Sequence, residues 1–230
     1  IAAPDVSSIY LIPLTMEQQQ IGNKLLAVLH LKMRKSQLQP WRQLNTKIDK
    51  AKKEIRIAVI GKYFSTGDYT LSDSYVSVIE AAKHAAWSLG AKPVLEWIDS
   101  EEFENDKVDM EARLSVFDAM IVPGGFGTRG VEGNISAIQY ARENKMPYLG
   151  ICYGMQLITQ MFGGRVRKCP QREFGQAELF IDSNKDLFVN LPTNLTSWMS
   201  HSDAITKLPP GFIPLAHTLN APIAAFANRS

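Results

Sequence analysis

The sequence predicts an α/β fold, a three-layer sandwich in which helices cover a central, mostly parallel sheet. Short apolar runs alternate with segments of helical periodicity along much of the chain. The connections between the runs are long enough for right-handed crossovers, which bring helices to both faces of a parallel sheet. The chain has 230 residues, a net charge of +2 and 45% hydrophobic residues. This size and composition suit one globular domain with an appendage.

The alternation is clearest between residues 55 and 161. Apolar runs predict strands at 55–60, 94–98, 117–122 and 147–152. Helical spacing predicts helices at 73–89, 134–143 and 153–161, the first of which Gly90 ends. These strands and helices form the core of the predicted sandwich.

Two segments precede this core. In residues 1–31, Thr15 and Gln18 predict a capping box that starts a single helix. Residues 32–54 are rich in Lys and Arg and predict a linker helix with one apolar face. The alternative is a patch that attracts nucleotides or RNA, but aromatic residues are not interleaved with the charges, which favours a solvated linker. The predicted divisions are therefore 1–31, 32–54 and 55–230.

One cysteine lies at the junction of a predicted strand and a predicted helix. Cys152 follows the fourth strand and has Gly150 and Gly154 two residues to either side. A strand, a sharp turn and a helix would hold a nucleophile at the apex of the turn, where the flanking residues must be small. The start of the helix is expected to lower the pKa of the thiol. A lone cysteine is more often a small buried hydrophobe, but the two glycines favour the catalytic interpretation.

A second glycine turn supports this interpretation. Residues 123–127 (PGGFG) follow the third predicted strand directly. Both turns would lie at the carboxyl ends of parallel strands, the edge at which such sheets bind ligands. The backbone N–H groups of Gly124 and Tyr153 could then form an oxyanion hole for Cys152.

These motifs resemble those of a known family. The pattern Gly150-x-Cys152-x-Gly154-x-Gln156, together with the turn at 123–127, is similar to that of the class I glutamine amidotransferases. The resemblance implies a flavodoxin-like fold and glutaminase chemistry.

Further motifs resemble two branches of this family. Motifs similar to the glutaminase domain of CTP synthases lie at 61–63, 73–75, 123–133 and 140–144. Motifs similar to the glutaminase domain of GMP synthases follow the elbow, at 162–166, 172–178, 198–203 and 222–226. By resemblance, residues 1–31 look like the remnant of a CTP synthase-like amidoligase domain. The resemblance thus changes from one branch to the other at the elbow. Recombination or an assembly join between two related genes would explain the changeover, and so would a single divergent lineage.

The resemblance also assigns roles to residues around the cysteine. Residues implied to contact glutamine lie in the glycine turn, in the helix after the cysteine and in a later segment: Gly125, Phe126, Gln156, Ser200, His201, Ser202 and Asp203. Arg129 and Glu132 match a loop that is implicated in the response of CTP synthases to GTP. No metal site is implied.

Both branches use a His-Pro-Glu element as the general base, and this element is absent from the 230 residues. The histidines are His30, His84, His201 and His217, and none of them precedes a proline. We therefore expect the domain at 55–230 to be truncated at its C-terminal end and its turnover to be impaired.

The implied function is that of the glutaminase domain of a CTP synthase-like amidotransferase. Cys152 would attack the side-chain amide of L-glutamine, form a thioester and release ammonia for the conversion of UTP to CTP. The expected partner is an amidoligase or synthetase domain, with GTP as an effector and a homo-oligomer in the full-length protein. No cofactor is expected in this domain, and ATP and Mg are expected only in the synthetase domain.

Three alternatives were considered. The chain could be a GMP synthase-type glutaminase serving the conversion of XMP to GMP, or a pseudo-domain that binds glutamine without catalysis. A cysteine protein of the DJ-1 and PfpI type is disfavoured by Gly154 and Gln156.

Composition argues against other classes of function. No apolar run is long enough to cross a bilayer, and the N-terminal residues do not resemble a signal peptide. Cys152 and Cys169 are too few for a disulfide framework, which is typical of a reducing cytoplasm. The small net charge predicts binding neither to nucleic acid nor to membranes.

Overall fold

The computed structural model describes residues 1–62, 65–66, 69–70, 75–104, 108–125, 127 and 129–228, with the backbone alone at 65–66 and 69–70. The chain divides into two compact units. Unit 1 comprises residues 1–55 and 77–94, and unit 2 comprises residues 56–76 and 95–230. Within the described residues, no helix is long and apolar enough to span a membrane.

The N-terminal segment folds as two helices rather than the predicted single one. They are α1 (Ile12–Gln18) and α2 (Ile21–Val28). Gln20 separates them because it adopts a left-handed conformation with φ of 56°. The predicted capping box is wrong, since the Thr15 hydroxyl donates to the Leu11 carbonyl at 3.1 Å inside the helical region.

An aromatic cluster is the main feature of unit 1. It joins the N-terminal segment to α3 (Gln39–Lys50) and α4 (Val76–Ser88). The Tyr10 hydroxyl donates to Glu80 at 2.7 Å, and its ring lies 5.3 Å from that of His84. Desolvation and the Glu80 carboxylate together raise the pKa of Tyr10 to about 12. His84 therefore packs within this aromatic cluster.

Four strands form the first sheet. They are β1 (Lys53–Gly61), β4 (Ala91–Asp99), β5 (Ala119–Val122) and β6 (Tyr148–Gly150), and a short hairpin of β2 (Ser65–Thr66) and β3 (Tyr69–Thr70) lies between β1 and β4 in the chain. The order across the sheet is β4-β1-β5-β6. The pairs β1/β5 and β5/β6 are parallel, with Ile121 opposite Leu149 in the second pair. The strand predicted at 147–152 is shorter than expected because the chain turns after Gly150.

Helices of unit 2 pack on this sheet. They are α5 (Met110–Leu114), α6 (Val131–Glu143) and α7 (Tyr153–Met161). Apolar side chains from the strands and helices form one buried cluster: Ile60, Ile98, Leu114, Met120, Val122, Ile138 and Leu157. The predicted α/β sandwich is thus confirmed, and burial of this cluster stabilises the strand ends that carry the glycine turns.

A second, antiparallel sheet follows α7. Its strands are β7 (Arg165–Ile181), β8 (Asn194–Lys207), β9 (Ile213–His217) and β10 (Ala225–Ala227), in the order β10-β9-β7-β8. Family-like motifs fall in this region, but no strands were predicted from its sequence. The β7/β8 pair shifts register between Lys168 and Glu173, so the strand bulges there.

Candidate active site

Cys152 occupies a strained turn between β6 and α7. It is the N-cap residue of α7, with φ of 50° and ψ of −106°. A non-glycine residue with positive φ is strained, and such strain is concentrated at functional sites. Cys152 is exposed, so the turn presents the residue at the surface of the unit.

The two flanking glycines are required by close backbone contacts. A Cβ atom on Gly150 would lie 2.6 Å from the carbonyl carbon of Gly154. A Cβ atom on Gly154 would lie 2.3 Å from the carbonyl oxygen of Val122. Any larger residue at either position would force backbone to move, and this explains the Gly-x-Cys-x-Gly spacing.

The glycine turn after β5 lies directly beside Cys152. A Cβ atom on Gly124 would lie 3.1 Å from the Cys152 Cβ and 3.6 Å from its Sγ. The Ile151 N–H donates to the Val122 carbonyl at 2.9 Å, and the Tyr75 hydroxyl donates to the Gly124 carbonyl at 2.9 Å. These bonds fix both turns at one edge of the sheet, with the sulfur facing the turn.

The two residues predicted to supply the oxyanion hole both lie next to Cys152. Tyr153 is the first residue of α7, so its N–H has no acceptor within the helix. Gly124 contacts the cysteine from the opposite turn. Two backbone donors near a nucleophile are what an oxyanion hole requires.

Lys62 belongs to the motif at 61–63, but the sequence assigned it no role in the site. It is 3% exposed, and its Nζ donates to the Gly127 carbonyl at 2.7 Å. The same Nζ lies 4.7 Å from the centre of the Tyr153 ring, and the stem of Lys62 packs against Gly125. Desolvation lowers the pKa of Lys62, although the charge of Glu104 opposes this. Its position directly after β1, at the same sheet edge as both turns, could have marked it.

The pKa of the Cys152 thiol is raised, whereas the sequence predicted that it would be lowered. Atoms of the surrounding turns remove part of the water around the sulfur, and this desolvation raises the pKa of the Cys152 thiol. The expected lowering by the start of α7 is therefore wrong as the net effect. Because the thiolate is the attacking species, a raised pKa increases the need for a general base.

The raised pKa predicts the pH dependence of alkylation. Iodoacetamide reacts with the thiolate, so a raised pKa slows the reaction at neutral pH and moves the midpoint of the rate profile upward. In a Cys169→Ser chain, which leaves Cys152 as the sole thiol, we expect a midpoint above about 8.5, the value for an ordinary cysteine. The midpoint is read from alkylation rates measured across the pH range, and a midpoint below that value would contradict the dominance of desolvation.

Gln156 links the elbow helix to the second sheet. Its side-chain Nε2 donates to the Asp203 carbonyl at 3.3 Å, and its backbone N–H donates to the Cys152 carbonyl at 3.1 Å. A groove of about 340 Å³ lies beside this contact. Its lining includes Tyr153, Gln156, Leu157, Gln160, Arg167 and Asp203. The groove is large enough to hold an amino acid.

The residues predicted to contact glutamine differ in whether they reach the groove. Ser200, His201, Ser202 and Asp203 lie together on β8, of which Asp203 reaches the groove. His201 instead turns its Nε2 to the Glu173 carboxylate at 3.1 Å. Phe126 lies outside the described residues, and Gly125 packs against Lys62, as described above.

The predicted regulatory residues lie in an ionic network. Arg129 pairs with Glu101, and its Nη2 lies 3.7 Å from Asp99. Asp99 is the N-cap of a short 3₁₀ helix, Ser100–Phe103, whose acidic first turn pairs with the exposed Arg129. Glu132 lies in the first turn of α6. Desolvation raises the pKa of Tyr153, and the negative charge of Glu132 raises it further.

His217 and Cys169 both make side-chain contacts in the structure. His217 ends β9, where its Nδ1 lies 2.9 Å from an Asp182 carboxylate oxygen. The Cys169 thiol donates to the Asn220 carbonyl at 3.2 Å. Both are engaged in the second sheet and its loops.

A sequence model of the family "Glutamine amidotransferase class-I" matches residues 70–230. The chain belongs to this family. The elbow cysteine, its glycines and the turn after β5 all lie in the matched region.

Curated relatives of this class I amidotransferase are CTP synthases. The enzyme of Sulfurisphaera tokodaii is 46% identical over 162 residues, which cover 70% of this chain and 29% of the relative. That of Microcystis aeruginosa is 40% identical over 178 residues, which cover 77% of this chain and 31% of the relative. The chain therefore spans about a third of the length of these relatives.

Solved structures confirm the predicted fold. The glutaminase domain of Trypanosoma brucei CTP synthase, with bound acivicin, has a TM-score of 0.57 and 25% identity, covering 71% of this chain and 75% of that one. A putative GMP synthase subunit from Thermoplasma acidophilum has a TM-score of 0.59 and 21% identity, covering 76% of this chain and 79% of that one. The predicted resemblance to the amidotransferase family is confirmed, and the likeness to the GMP synthase subunit is one of fold.

Proposed function

We propose that this class I amidotransferase domain hydrolyses the side-chain amide of L-glutamine and supplies the ammonia for amination of UTP to CTP. The observation that carries the proposal is the position of Cys152, whose Sγ faces Gly124 at the edge of the parallel sheet. The identity of 40–46% to CTP synthases favours the CTP type over the GMP type.

The chemistry proceeds through a thioester. A base removes the proton from the Cys152 thiol, and the thiolate attacks the amide carbon. The N–H groups of Gly124 and Tyr153 stabilise the oxyanion that forms, and each donor contributes about 3 kcal/mol. The C–N bond then breaks, and the nitrogen leaves with an added proton as ammonia. Water hydrolyses the thioester to glutamate and restores the thiol.

Substrate contacts are proposed around the groove beside α7. Gln156 and Asp203 meet there, and both line the groove. The remaining proposed contacts come from the glycine turn and β8: Gly125, Phe126, Ser200, His201 and Ser202. Arg129 and Glu132 are proposed to belong to a GTP-responsive loop, although Arg129 is held by carboxylates in this structure.

The thiol must be activated by a general base, and none of the four histidines of these 230 residues is proposed for this role. His201 is not proposed as the base, because its Nδ1, the nitrogen not facing Glu173, is buried without a partner among the described residues, and because its segment is proposed to contact glutamine. A polypeptide of these 230 residues is therefore expected to turn over glutamine roughly 10³-fold more slowly than a domain with a complete triad.

The synthetase reaction is proposed to take place in another domain. An amidoligase domain would receive the ammonia and bind ATP and Mg, and residues 1–31 are proposed as part of it. Residues 32–54 are proposed as a linker helix, and the glutaminase domain begins at residue 55.

Ammonia release from L-glutamine tests this function. We expect slow release of ammonia and glutamate in equal amounts, with no release from L-asparagine, whose side chain is one methylene shorter. If glutamine protects Cys152 from iodoacetamide but no ammonia forms, the chain is the non-catalytic glutamine-binding alternative. If glutamine neither protects Cys152 nor is hydrolysed, both are wrong.

A further inference from the structure

A buried carboxylate and an imidazole form a pair in the second sheet. Glu173 on β7 is 7% exposed, and its Oε2 lies 3.1 Å from the Nε2 of His201 on β8. The Thr218 hydroxyl donates to the Oε1 of Glu173 at 2.7 Å, and Thr218 is 3% exposed. Three segments of the chain thus meet at one carboxylate.

The threonine is itself held in place. Its Oγ1 accepts hydrogen bonds from the backbone N–H of Asn220 at 3.3 Å and of Ala221 at 2.9 Å. A buried carboxylate is costly unless it is paired and hydrogen-bonded. The Thr218 turn therefore fixes Glu173 through Oε1, whereas Oε2 makes no hydrogen bond among the described residues and faces the Nε2 of His201 at 3.1 Å, an ion pair when the imidazole is protonated.

The orientation of the His201 ring depends on this contact. The side chain of His201 is 17% exposed, and its Nδ1 is buried with no hydrogen-bond partner in the described part of the chain. The polar contact on which the ring orientation rests is therefore the 3.1 Å approach of its Nε2 to Glu173, which is an electrostatic contact rather than a well-aligned hydrogen bond.

A bulge brings the two residues opposite each other. Lys168 pairs with Asp203, but Glu173 pairs with His201. Five steps along β7 thus match two steps along β8, and the additional residues form the bulge. Regular pairing from Lys168 would place a different residue of β7 opposite His201.

The pair is connected to the elbow through β8. Asp203 lies two residues from His201, on the same face of the strand. Its carbonyl accepts the hydrogen bond of the Gln156 side chain, and the Gln156 N–H bonds to the carbonyl of Cys152. The position of this part of β8 therefore affects the side of the groove next to the nucleophile.

We propose that Glu173 is a positioning residue for glutamine binding. It holds His201, and through His201 the 200–203 segment of β8, against the helix that begins after Cys152. The proposal rests on the proposed function, because it takes this segment as the surface that contacts glutamine. Loss of the carboxylate should weaken binding of a glutamine-shaped molecule but leave the reactivity of the sulfur intact.

The test uses alkylation of Cys152 by the chloroketone analogue of L-glutamine. The thiolate forms a C–S bond to the analogue and chloride leaves, so no general base for ammonia release is needed. For Glu173→Gln we expect KI to rise about tenfold, as a small misplacement of binding groups would cause, with kinact within about twofold. Alkylation by iodoacetamide, which carries no amino-acid group, should be unchanged.

Matched variants separate positioning from folding. Glu178→Gln changes an exposed carboxylate on the same strand and should leave KI unchanged. Thr218→Val removes the hydrogen bond to Glu173 but keeps its charge, and should raise KI less than Glu173→Gln does. Thr218→Val also keeps the proposal testable if Glu173→Gln does not fold, which thermal unfolding of each variant reveals.

The outcomes distinguish this proposal from the function on which it rests. If the unsubstituted chain is alkylated saturably and glutamine protects it, but KI is unchanged in both Glu173→Gln and Thr218→Val, the positioning role is wrong and the function stands. If the unsubstituted chain shows neither saturation nor protection, the proposed function fails and the positioning role fails with it. An equal fall in iodoacetamide reactivity in Glu173→Gln would indicate general disruption and also overturn the proposal.

Discussion

Replacing Cys152 by serine is expected to eliminate ammonia release from glutamine and covalent capture of the chloroketone analogue. Serine keeps the size and the strained backbone position, but its hydroxyl is far less acidic than a thiol and is not a nucleophile without an activating base. Loss of a catalytic nucleophile typically lowers turnover by about 10⁴-fold or more. Because the unsubstituted 230-residue chain is already expected to be slow, Cys152→Ser should fall to the background rate of a coupled ammonia assay.

Cys169→Ser is the matched control. Cys169 bonds to the Asn220 carbonyl, and a serine hydroxyl can donate the same bond. We expect Cys169→Ser to keep both ammonia release and analogue capture within about twofold of the unsubstituted chain, the range expected for a group outside the reacting centre. Equal losses in the two variants, or capture that survives in Cys152→Ser, would show that position 152 is not the nucleophile.

Gly154→Ala is expected to produce a large loss of stability. The new Cβ would lie 2.3 Å from the Val122 carbonyl oxygen and 3.1 Å from its Cγ1, so the backbone of β5 or α7 must move. Overpacking of this kind should lower the free energy of unfolding by about 3 kcal/mol. In a domain of this size, thermal unfolding should then fall by about 6–12 °C.

Gly22→Ala provides the control for the substitution itself. Gly22 is the second residue of α2, as Gly154 is of α7, and nothing lies within 4 Å of a Cβ atom placed on it. Alanine is a better helix former than glycine, so this variant should be more stable by about 0.5–1 kcal/mol. A melting temperature of Gly154→Ala equal to that of Gly22→Ala would contradict the close packing of the elbow.

The first sheet and the elbow could be predicted because their signals are local. Apolar runs that end in glycine turns locate strand ends, and the helix predicted at 153–161 has those bounds in the structure. Since the carboxyl ends of parallel strands share an edge, the proximity of Gly124 to Cys152 followed from the same pattern.

The second sheet was harder to predict because β7 contains residues that normally break strands. Pro170 and Gly175 interrupt its apolar pattern, and proline in a strand argues against a strand unless it lies at an edge or a bulge. The structure places Pro170 within the bulge between Lys168 and Glu173, so the strand resumes after it. The same bulge sets the register that pairs Glu173 with His201, which no local pattern reveals.

The burial of the charged residue Lys62 could not be predicted from the sequence either. A lysine directly after a strand is most often solvated, because burial of an ammonium group is costly. Lys62 is buried because the Gly127 carbonyl accepts from its Nζ and the Tyr153 ring lies beside it. Both partners are more than sixty residues away in sequence, so only the folded turns show them.

Peptide mapping of the chain after reaction with the chloroketone analogue tests the central claim most directly, namely that the Cys152 sulfur is an accessible nucleophile aimed at a glutamine-shaped site. We expect one adduct per chain, on the peptide that contains Cys152, with its yield suppressed by excess L-glutamine and unaffected by D-glutamine. An adduct on Cys169, or one on Cys152 that glutamine does not suppress, would contradict the account.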